Sequence, residues 1–238
     1  MSSYKVVDVD RLDSDLAAVA DTIRSRTGIS GVIAFPDGFI RAVEEYDYLG
    51  EVMNKQCTHL ASVSMTGALS GYFQRGNNHL LVVDLPGVTE MQNGVFQECT
   101  NLSAVNLPGV ITMGSGSFQE CHQLSEICMP ALTTITGWGW NFGNCKKLEK
   151  ACFPNLTTLL PYDLSDCSVL TTVILGSDTM CQLADQTTFR NTPIASGSGY
   201  IYVPGALVNA YKGDATWSIY ANQIRAIEDY PAILEDWD

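Results

Sequence analysis

The sequence is poor in basic residues, and this scarcity excludes two classes of partner. Lysine and arginine together number 13 against 26 aspartate and glutamate residues, so the formal net charge is −13 at pH 7. A surface of this charge repels the phosphate backbone of nucleic acid and the headgroups of anionic lipid. We therefore expect neither nucleic-acid binding nor membrane insertion.

Long apolar runs are also missing. The amino-terminal MSSYKVVDVDRLDSD has neither the basic start nor the apolar core of a secretory signal, and no later stretch has the apolar length of a membrane span. The sequence predicts a protein that is cytoplasmic at synthesis and that can associate with a virion. The alternative is the cell surface, reached by a route that these residues do not reveal.

Motifs of catalysis, phosphate binding and metal binding are absent as well. The eight cysteines form no CxxC pair, and no histidine stands at ligand spacing from them. No serine or cysteine lies in a nucleophile-elbow sequence. We predict no enzyme, cofactor or metal; the alternative that stays open is a hydrolase whose site would combine Asp84, Glu126 and His122 from separate parts of the chain.

What the sequence does contain is an internal repeat. Each unit carries the frame LxxVxLPxVxxI followed by a phenylalanine and a cysteine, and about six units can be counted. The clearest units are residues 80–101 (LLVVDLPGVTEMQNGVFQECTN), 102–123 (LSAVNLPGVITMGSGSFQECHQ), 124–147 and 148–169. A divergent unit runs from residue 170 to about Phe189, and a looser one begins at Cys57.

The pattern inside one unit predicts a short strand and a turn. Val83 and Leu85 alternate with polar neighbours at a period of two, which is typical of a half-buried strand. Pro86 follows, and because proline has no N–H for a sheet ladder, the strand ends and the chain turns. Later units repeat these positions with Val105 and Leu107, Ile127 and Met129, and with Pro108, Pro130 and Pro154.

The return leg of each unit adds apolar residues at matched positions. They are Val88, Val110, Leu132 and Leu156, then Met91, Met113, Ile135 and Leu159, then Phe96, Phe118, Phe142 and Leu164. One coil cannot bury so many apolar groups alone, so stacking of neighbouring coils has to form the core. The predicted fold class is an α/β-type repeat, a solenoid of about six coils with short parallel strands.

These units resemble the BspA-like class of bacterial leucine-rich repeats, over residues 57 to about 190. The resemblance implies a leucine-rich-repeat solenoid and a role in cell-surface adhesion. Residues 12–45 are in turn similar to an amino-terminal module of tail and structural proteins from phages and prophages of gut Gram-positive bacteria. That second resemblance implies a tail-associated or host-associated protein.

Both ends of an open stack need covering, because they expose strand edges and apolar columns. We predict a helical amino-terminal module at 1–50, the solenoid at 51–195 and an α/β carboxy-terminal cap at 196–238. Helices are expected at 11–26 and 36–45. The last segment should form a strand at 200–203, two helices and a final strand, and it resembles the closing segment of BspA-like arrays.

The cysteines fall into two groups. Cys99, Cys121, Cys145 and Cys167 recur once per coil, which predicts a buried structural thiol ladder instead of a convergent metal site. Cys128 and Cys152 occupy outward positions on adjacent strands. We expect them to lie side by side on the exposed sheet as free thiols, since in-register parallel neighbours rarely meet disulfide geometry.

Two surfaces are candidates for binding a protein or a carbohydrate on a cell or virion surface. One is the two-residue insertion Gly137-Trp138-Gly139-Trp140, whose indoles would serve as hot spots if exposed, although packing against the next coil is the favoured interpretation. The other is the outward face of the strands. Its ligand-binding candidates are Asp84, Asn106, Glu126, Lys150 and Thr172, and its other members are Ser62, Ser64, Val82, Ala104, Cys128, Cys152 and Ile174.

The resulting functional prediction is a non-enzymatic binding module encoded by a phage or prophage. The alternative is a bacterial cell-surface adhesion protein of the BspA-like class. The identity of the ligand and the oligomeric state stay open.

Overall fold

The computed structural model describes residues 59–61 and 65–234, and these residues stack as successive coils. The expected amino-terminal helices, the phage-like stretch at 12–45, and Ser62 and Ser64 lie outside the described residues. Within those residues, no helix is long and apolar enough to cross a membrane.

Each coil contributes one short strand to a first parallel sheet. Its strands are β1 His59–Ala61, β3 Val82–Asp84, β5 Ala104–Asn106, β7 Glu126–Cys128, β9 Lys150–Cys152, β11 Thr172–Ile174, β13 Tyr200–Val203 and β14 Ile224–Ala226. They pair as two hydrogen-bonded groups, β1-β3-β5 and β7-β9-β11-β13-β14. Equivalent repeat positions are in register: Val83 pairs with Leu60 and Val105. The predicted parallel strands are therefore confirmed.

A second parallel sheet lies on the return leg, and the sequence did not predict it. Its strands are β2 Gly67–Leu69, β4 Val88–Met91, β6 Thr112–Met113, β8 Thr134–Ile135, β10 Thr158–Leu159 and β12 Gln182–Leu183. The hydrogen-bonded groups are β2-β4-β6-β8 and β10-β12. Most of these strands have only two residues, too few to show an alternating pattern in the sequence.

The core lies between the two sheets and the phenylalanine turns. Phe96, Phe118 and Phe142 are fully buried, with ring centroids 5.4 and 5.5 Å apart along the column. Backbone bonds join these turns from coil to coil, for example from the Phe118 N–H to the Asn141 carbonyl at 2.8 Å. The predicted columns are present; Val105, expected inside, is only half-buried.

After the last coil the chain forms short helices and two more strands. The elements are a 3-10 helix Gln186–Phe189, α1 Pro193–Ser196, the strand β13, a 3-10 helix Gly205–Leu207, α2 Val208–Gly213, a 3-10 helix Ser218–Tyr220, the strand β14, and 3-10 helices Ile227–Asp229 and Pro231–Ile233. Trp217 is fully buried against Tyr211 and Phe189, and its Nε1 donates to the Cys181 carbonyl at 2.8 Å. Trp217, Tyr211 and Phe189 belong to the same core cluster as the apolar residues of the coils.

Candidate functional site

The outer face of the first sheet is open over its first half. Asn106 donates to Asp84 from the neighbouring strand at 2.8 Å, and both side chains retain solvent contact. Glu126 is exposed and lies in register with Lys150 of the next strand, which is half-buried like Thr172 beyond it. Asp84 and Asn106 thus lie on one hydrogen-bonded group of strands, and Glu126, Lys150 and Thr172 lie on the other.

Part of this face is covered, which corrects the expectation that Cys152 and Ile174 are exposed. Their exposed fractions are 4% and 1%. Both side chains pack with Tyr202 into a small apolar cluster, and Ile227 and Ile233 pack against it. We call residues 227–233 the carboxy-terminal strap. The alternation along the strands was predicted correctly, but the repeat pattern contains no information about this distant segment.

Polar and aromatic contacts fix the strap in place. The Gly205 N–H donates to both carboxylate oxygens of Glu228, at 3.1 and 2.9 Å. Tyr230 contacts Tyr202 edge to face, with ring centroids 5.4 Å apart. The strap therefore removes Cys152 and Ile174 from any partner, whereas Lys150 and Thr172 on the same strands are half-buried.

Cys128 and Cys152 are adjacent, as predicted, and both are free thiols. Cys128 is half-buried, whereas the strap covers Cys152. A hydrogen bond from the Cys152 thiol lowers the pKa of Cys128, and the same interaction together with burial raises the pKa of Cys152. Cys128 is therefore the more reactive thiol of the pair.

The other cysteines form the expected buried ladder. Cys99, Cys121, Cys145 and Cys167 are each fully buried and free. Each Sγ donates to a backbone carbonyl of the preceding coil, and the acceptors are Gln74, Phe96, Phe118 and Phe142 at 3.0, 3.3, 3.2 and 3.1 Å. The thiol thus fills a small apolar space. It also donates a hydrogen bond to the backbone carbonyl at the repeat position that phenylalanine occupies in most coils. The four thiols form one buried row, with one member in each of four consecutive coils.

This arrangement predicts selective alkylation. Burial raises the pKa of Cys99 to about 12, and it raises the pKa of Cys121 well above its ordinary value. Iodoacetamide should therefore modify Cys128 in the native protein at neutral pH and spare the ladder, as read by peptide mass mapping. In denaturant every cysteine should react, and native labelling of the ladder as fast as Cys128 would contradict the assignment.

The tryptophan insertion is a surface feature, contrary to the favoured packing interpretation for its first indole. Trp138 is 88% exposed. Its position is nonetheless fixed: the Trp138 N–H donates to the Ser115 hydroxyl at 2.6 Å, and the Ser115 N–H donates to the Asn93 side chain at 2.9 Å. Gly137 and Gly139 on either side have φ of +86° and +88°, a conformation that glycine adopts without strain. The loop therefore holds one indole in solvent.

Trp140 does pack against the next coil, as expected. Its ring stacks on Tyr162 with centroids 4.5 Å apart and an interplanar angle of 12°. Arg190 lies over Tyr162 at 4.9 Å from the ring centroid and is paired with Asp166 at 2.8 Å. We call Trp138, Trp140, Tyr162 and Arg190 the aromatic ridge. The sequence did not indicate the last two members, because nothing in their spacing marks them as neighbours of the insertion.

Trp140 and Tyr162 of this ridge belong to a row of residues whose backbone is in the left-handed conformation, one per coil. The row consists of Tyr72, Gly94, Gly116, Trp140 and Tyr162, with φ between +59° and +68°. A non-glycine residue in this region costs roughly 1–2 kcal/mol. Bulky aromatics occupy three of the five positions in spite of this strain, so stability alone does not account for them.

A buried polar row runs beside the phenylalanine column, and the sequence analysis missed it. Asp163 is fully buried; one of its oxygens accepts from the Asn141 side chain at 2.9 Å and the other from the Leu160 N–H at 2.7 Å. Desolvation raises the pKa of Asp163 to about 6, although these hydrogen bonds lower it. The contacts tie neighbouring coils together through a carboxyl group.

The structure does not assemble the residues of the hydrolase alternative. Asp84 is hydrogen-bonded to Asn106, and His122 lies beside Asn144 at 3.4 Å. Within residues 59–61 and 65–234, no three histidine, cysteine, aspartate or glutamate side chains converge as metal ligands.

Comparisons with known proteins agree with this architecture. The profile of the BspA-type leucine-rich-repeat region matches residues 70–195 in six copies. The search of curated proteins gave no match. Among solved structures, the pneumococcal vaccine antigen PcpA is similar with a TM-score of 0.56 and 16% identity, over 72% of this chain and 42% of that one.

The T. pallidum leucine-rich-repeat protein TpLRR is also similar, with a TM-score of 0.48 and 17% identity, over 67% of this chain and 85% of that one. The match with PcpA covers 42% of that structure, so this chain spans less than half the length of PcpA. The profile match covers more than half of the 238 residues. On this evidence the chain belongs to the BspA-type leucine-rich-repeat family.

Proposed function

We propose that this chain is a surface interaction module that binds a protein partner through the aromatic ridge. The observation that carries the proposal is the exposed Trp138, because an indole with 88% of its surface in solvent contributes little to folding. Tryptophan, tyrosine and arginine are the residue types that dominate binding energy at protein interfaces. All three occur in the ridge.

Preorganisation supports the same proposal. The hydrogen bond to Ser115 fixes the backbone of Trp138, and stacking holds Trp140, Tyr162 and Arg190 in one orientation. A partner therefore meets a surface that has already lost much of its conformational freedom, which reduces the entropic cost of association. Membership in the BspA-type family favours adhesion as the setting of this binding.

Substitution of Trp138 tests the proposal. Trp138→Ala should weaken binding about 30-fold, the effect of losing a hot-spot residue worth about 2 kcal/mol. The measurement is surface plasmon resonance against a panel of immobilised extracellular proteins, followed by binding of the labelled protein to intact bacterial and animal cells.

The matched control is Leu81→Ala, which removes another large apolar side chain that is 39% exposed. The control should bind as the wild type does. Equal losses for both variants, or unchanged binding by Trp138→Ala, would exclude the ridge as the binding surface.

A second proposed setting is a phage or prophage tail; it rests on the resemblance of residues 12–45 alone, which lie outside the family match at residues 70–195. Fractionation of induced and uninduced cells separates the two settings. Protein that cosediments with virions only after induction supports the tail setting, whereas envelope-associated protein without induction supports bacterial adhesion.

A further inference from the structure

A groove on the outer side of the second sheet is separate from the face on which binding was predicted. Its volume is about 570 Å³, within the range of small-ligand sites. It crosses four consecutive coils, and at the strand spacing of a sheet its length is about 14 Å. The lining residues are Gly71, Tyr72, Glu90, Met91, Gln92, Asn93, Thr112, Met113, Gly114 and Thr136.

Tyr72 forms the wall at one end. Its ring is 54% exposed and lies over Gly94, where an added Cβ would come within 2.5 Å of the ring carbons. Tyr72 is also one of the left-handed positions, with φ of +59°. The two following positions of that row are glycines, so the exchange of tyrosine for glycine is compatible with this turn of the coil.

The opposite end of the groove lies beside the Trp138 loop in the sequence. Thr136 lines the groove there, and the Trp138 loop follows it directly. Ser115 joins this loop to the groove: its hydroxyl accepts from the Trp138 N–H, and its backbone N–H donates to the Asn93 side-chain oxygen. The groove therefore has Tyr72 at one end, and at the other end the Trp138 loop, which is held by the hydrogen bond to Ser115.

The floor of the groove presents carboxylate, amide and hydroxyl groups. The Gln92 side-chain oxygen accepts from the Gly71 N–H at 3.0 Å, and the Asn93 oxygen accepts from the Ser115 N–H. These bonds orient both amides and leave their NH₂ groups as donors. Glu90 is exposed and adds an acceptor, and Thr112 adds a hydroxyl.

This set of groups matches a neutral polyhydroxylated ligand. Sugar hydroxyls both donate and accept, so they can use carboxylate oxygens, amide NH₂ groups and threonine hydroxyls together. The C–H face of a pyranose ring packs on an exposed aromatic ring. No lysine or arginine is among the lining residues; Arg75 lies over the Tyr72 ring, 5.4 Å from its centroid, and its charge is paired with Glu98 at 2.8 Å. The net charge of −13 disfavours anionic polymers.

We propose that this groove binds a neutral oligosaccharide, with Tyr72 stacking on a sugar ring and Glu90 and the two amides hydrogen-bonding to its hydroxyls. This site goes beyond the aromatic ridge and does not depend on the protein partner proposed for it. The module would then have two binding surfaces, one for a protein and one for a glycan.

Affinity electrophoresis tests the proposal on the full chain. The gels contain the neutral polysaccharides mannan, galactomannan or mixed-linkage β-glucan, or the anionic polygalacturonate. The wild type should be retarded by at least one neutral polymer and not by polygalacturonate. Tyr72→Gly should weaken this binding at least ten-fold, and Glu90→Gln should weaken it several-fold.

The choice of glycine at position 72 separates binding from folding. Because glycine adopts a positive φ without strain, Tyr72→Gly should keep the wild-type thermal unfolding midpoint or raise it while binding is lost. Tyr200→Ala is the matched control; it removes a tyrosine that is 40% exposed on the other sheet, and it should bind as the wild type does.

Failure of this proposal is distinguishable from failure of the ridge. Absence of retardation in every neutral polymer, or equal retardation of the wild type and Tyr72→Gly, overturns the glycan site. Neither result affects the Trp138→Ala measurement against immobilised proteins. Retardation by polygalacturonate of the same strength would likewise overturn the assignment to neutral glycans.

Discussion

Replacing Phe118 with alanine should lower the free energy of unfolding by about 3–5 kcal/mol, the usual cost of deleting a fully buried aromatic ring. Phe118 is completely inaccessible and stacks between Phe96 and Phe142. The cavity would lie in the middle of the array, where it weakens the interfaces with both neighbouring coils. Because stability in a solenoid comes from these nearest-neighbour interfaces, the loss should affect the whole stack.

Urea denaturation followed by tryptophan fluorescence measures this effect. Ile111→Ala is the control, since Ile111 is 46% exposed and its truncation should change the free energy of unfolding by less than about 0.5 kcal/mol. If Phe118→Ala were as mild as the control, the phenylalanine column would not carry the core. A lower denaturant slope together with a lower midpoint would indicate that the array unfolds in parts.

The second large effect is a pH dependence due to Asp163. Burial raises its pKa to about 6 in the folded protein, above the value of an unfolded aspartate. Folding therefore favours the protonated carboxyl group. This contribution to stability is fully present below the unfolded pKa near 4 and is lost as the pH rises through about 6; the complete loss amounts to about 3 kcal/mol.

Asp163→Asn isolates this contribution, because the amide keeps an oxygen for Asn141 and cannot ionise. Between pH 5 and pH 7.5 the wild type should lose roughly 1–2 kcal/mol more stability than the variant, since about half of the titration falls in that interval. The measurement is the free energy of unfolding in urea at each pH. Asp178→Asn, at an exposed carboxyl group, should follow the wild-type profile; parallel profiles for all three proteins would refute the role of Asp163.

The repeat pattern predicted those features that depend on neighbours one coil away. The buried positions of the phenylalanines and of Cys99, Cys121, Cys145 and Cys167 follow from a fixed period, because equivalent residues in stacked coils must meet. The adjacency of Cys128 and Cys152 follows for the same reason. In each case a local spacing in the sequence becomes a distance in space.

Features that depend on distant or irregular segments were not predictable in this way. The burial of Cys152 and Ile174 is due to Ile227 and Ile233, which lie more than fifty residues away in sequence. The exposure of Trp138 depends on the direction of a loop whose extra length breaks the period. Asp163 appears as an ordinary polar residue until the structure places it beside Asn141 in the core.

By itself, the sequence determined the family, the parallel stacking, the apolar columns and the thiol ladder, because each of these depends on one repeated spacing. Only the tertiary structure decided which surfaces remain open. The strap covers Cys152 and Ile174 on the first sheet, the insertion places one indole in solvent, and the second sheet and its groove are formed by strands too short to show a pattern in the sequence. The exposure of a residue depends on every segment that packs around it, whereas a repeat pattern predicts only the contacts with the neighbouring coils.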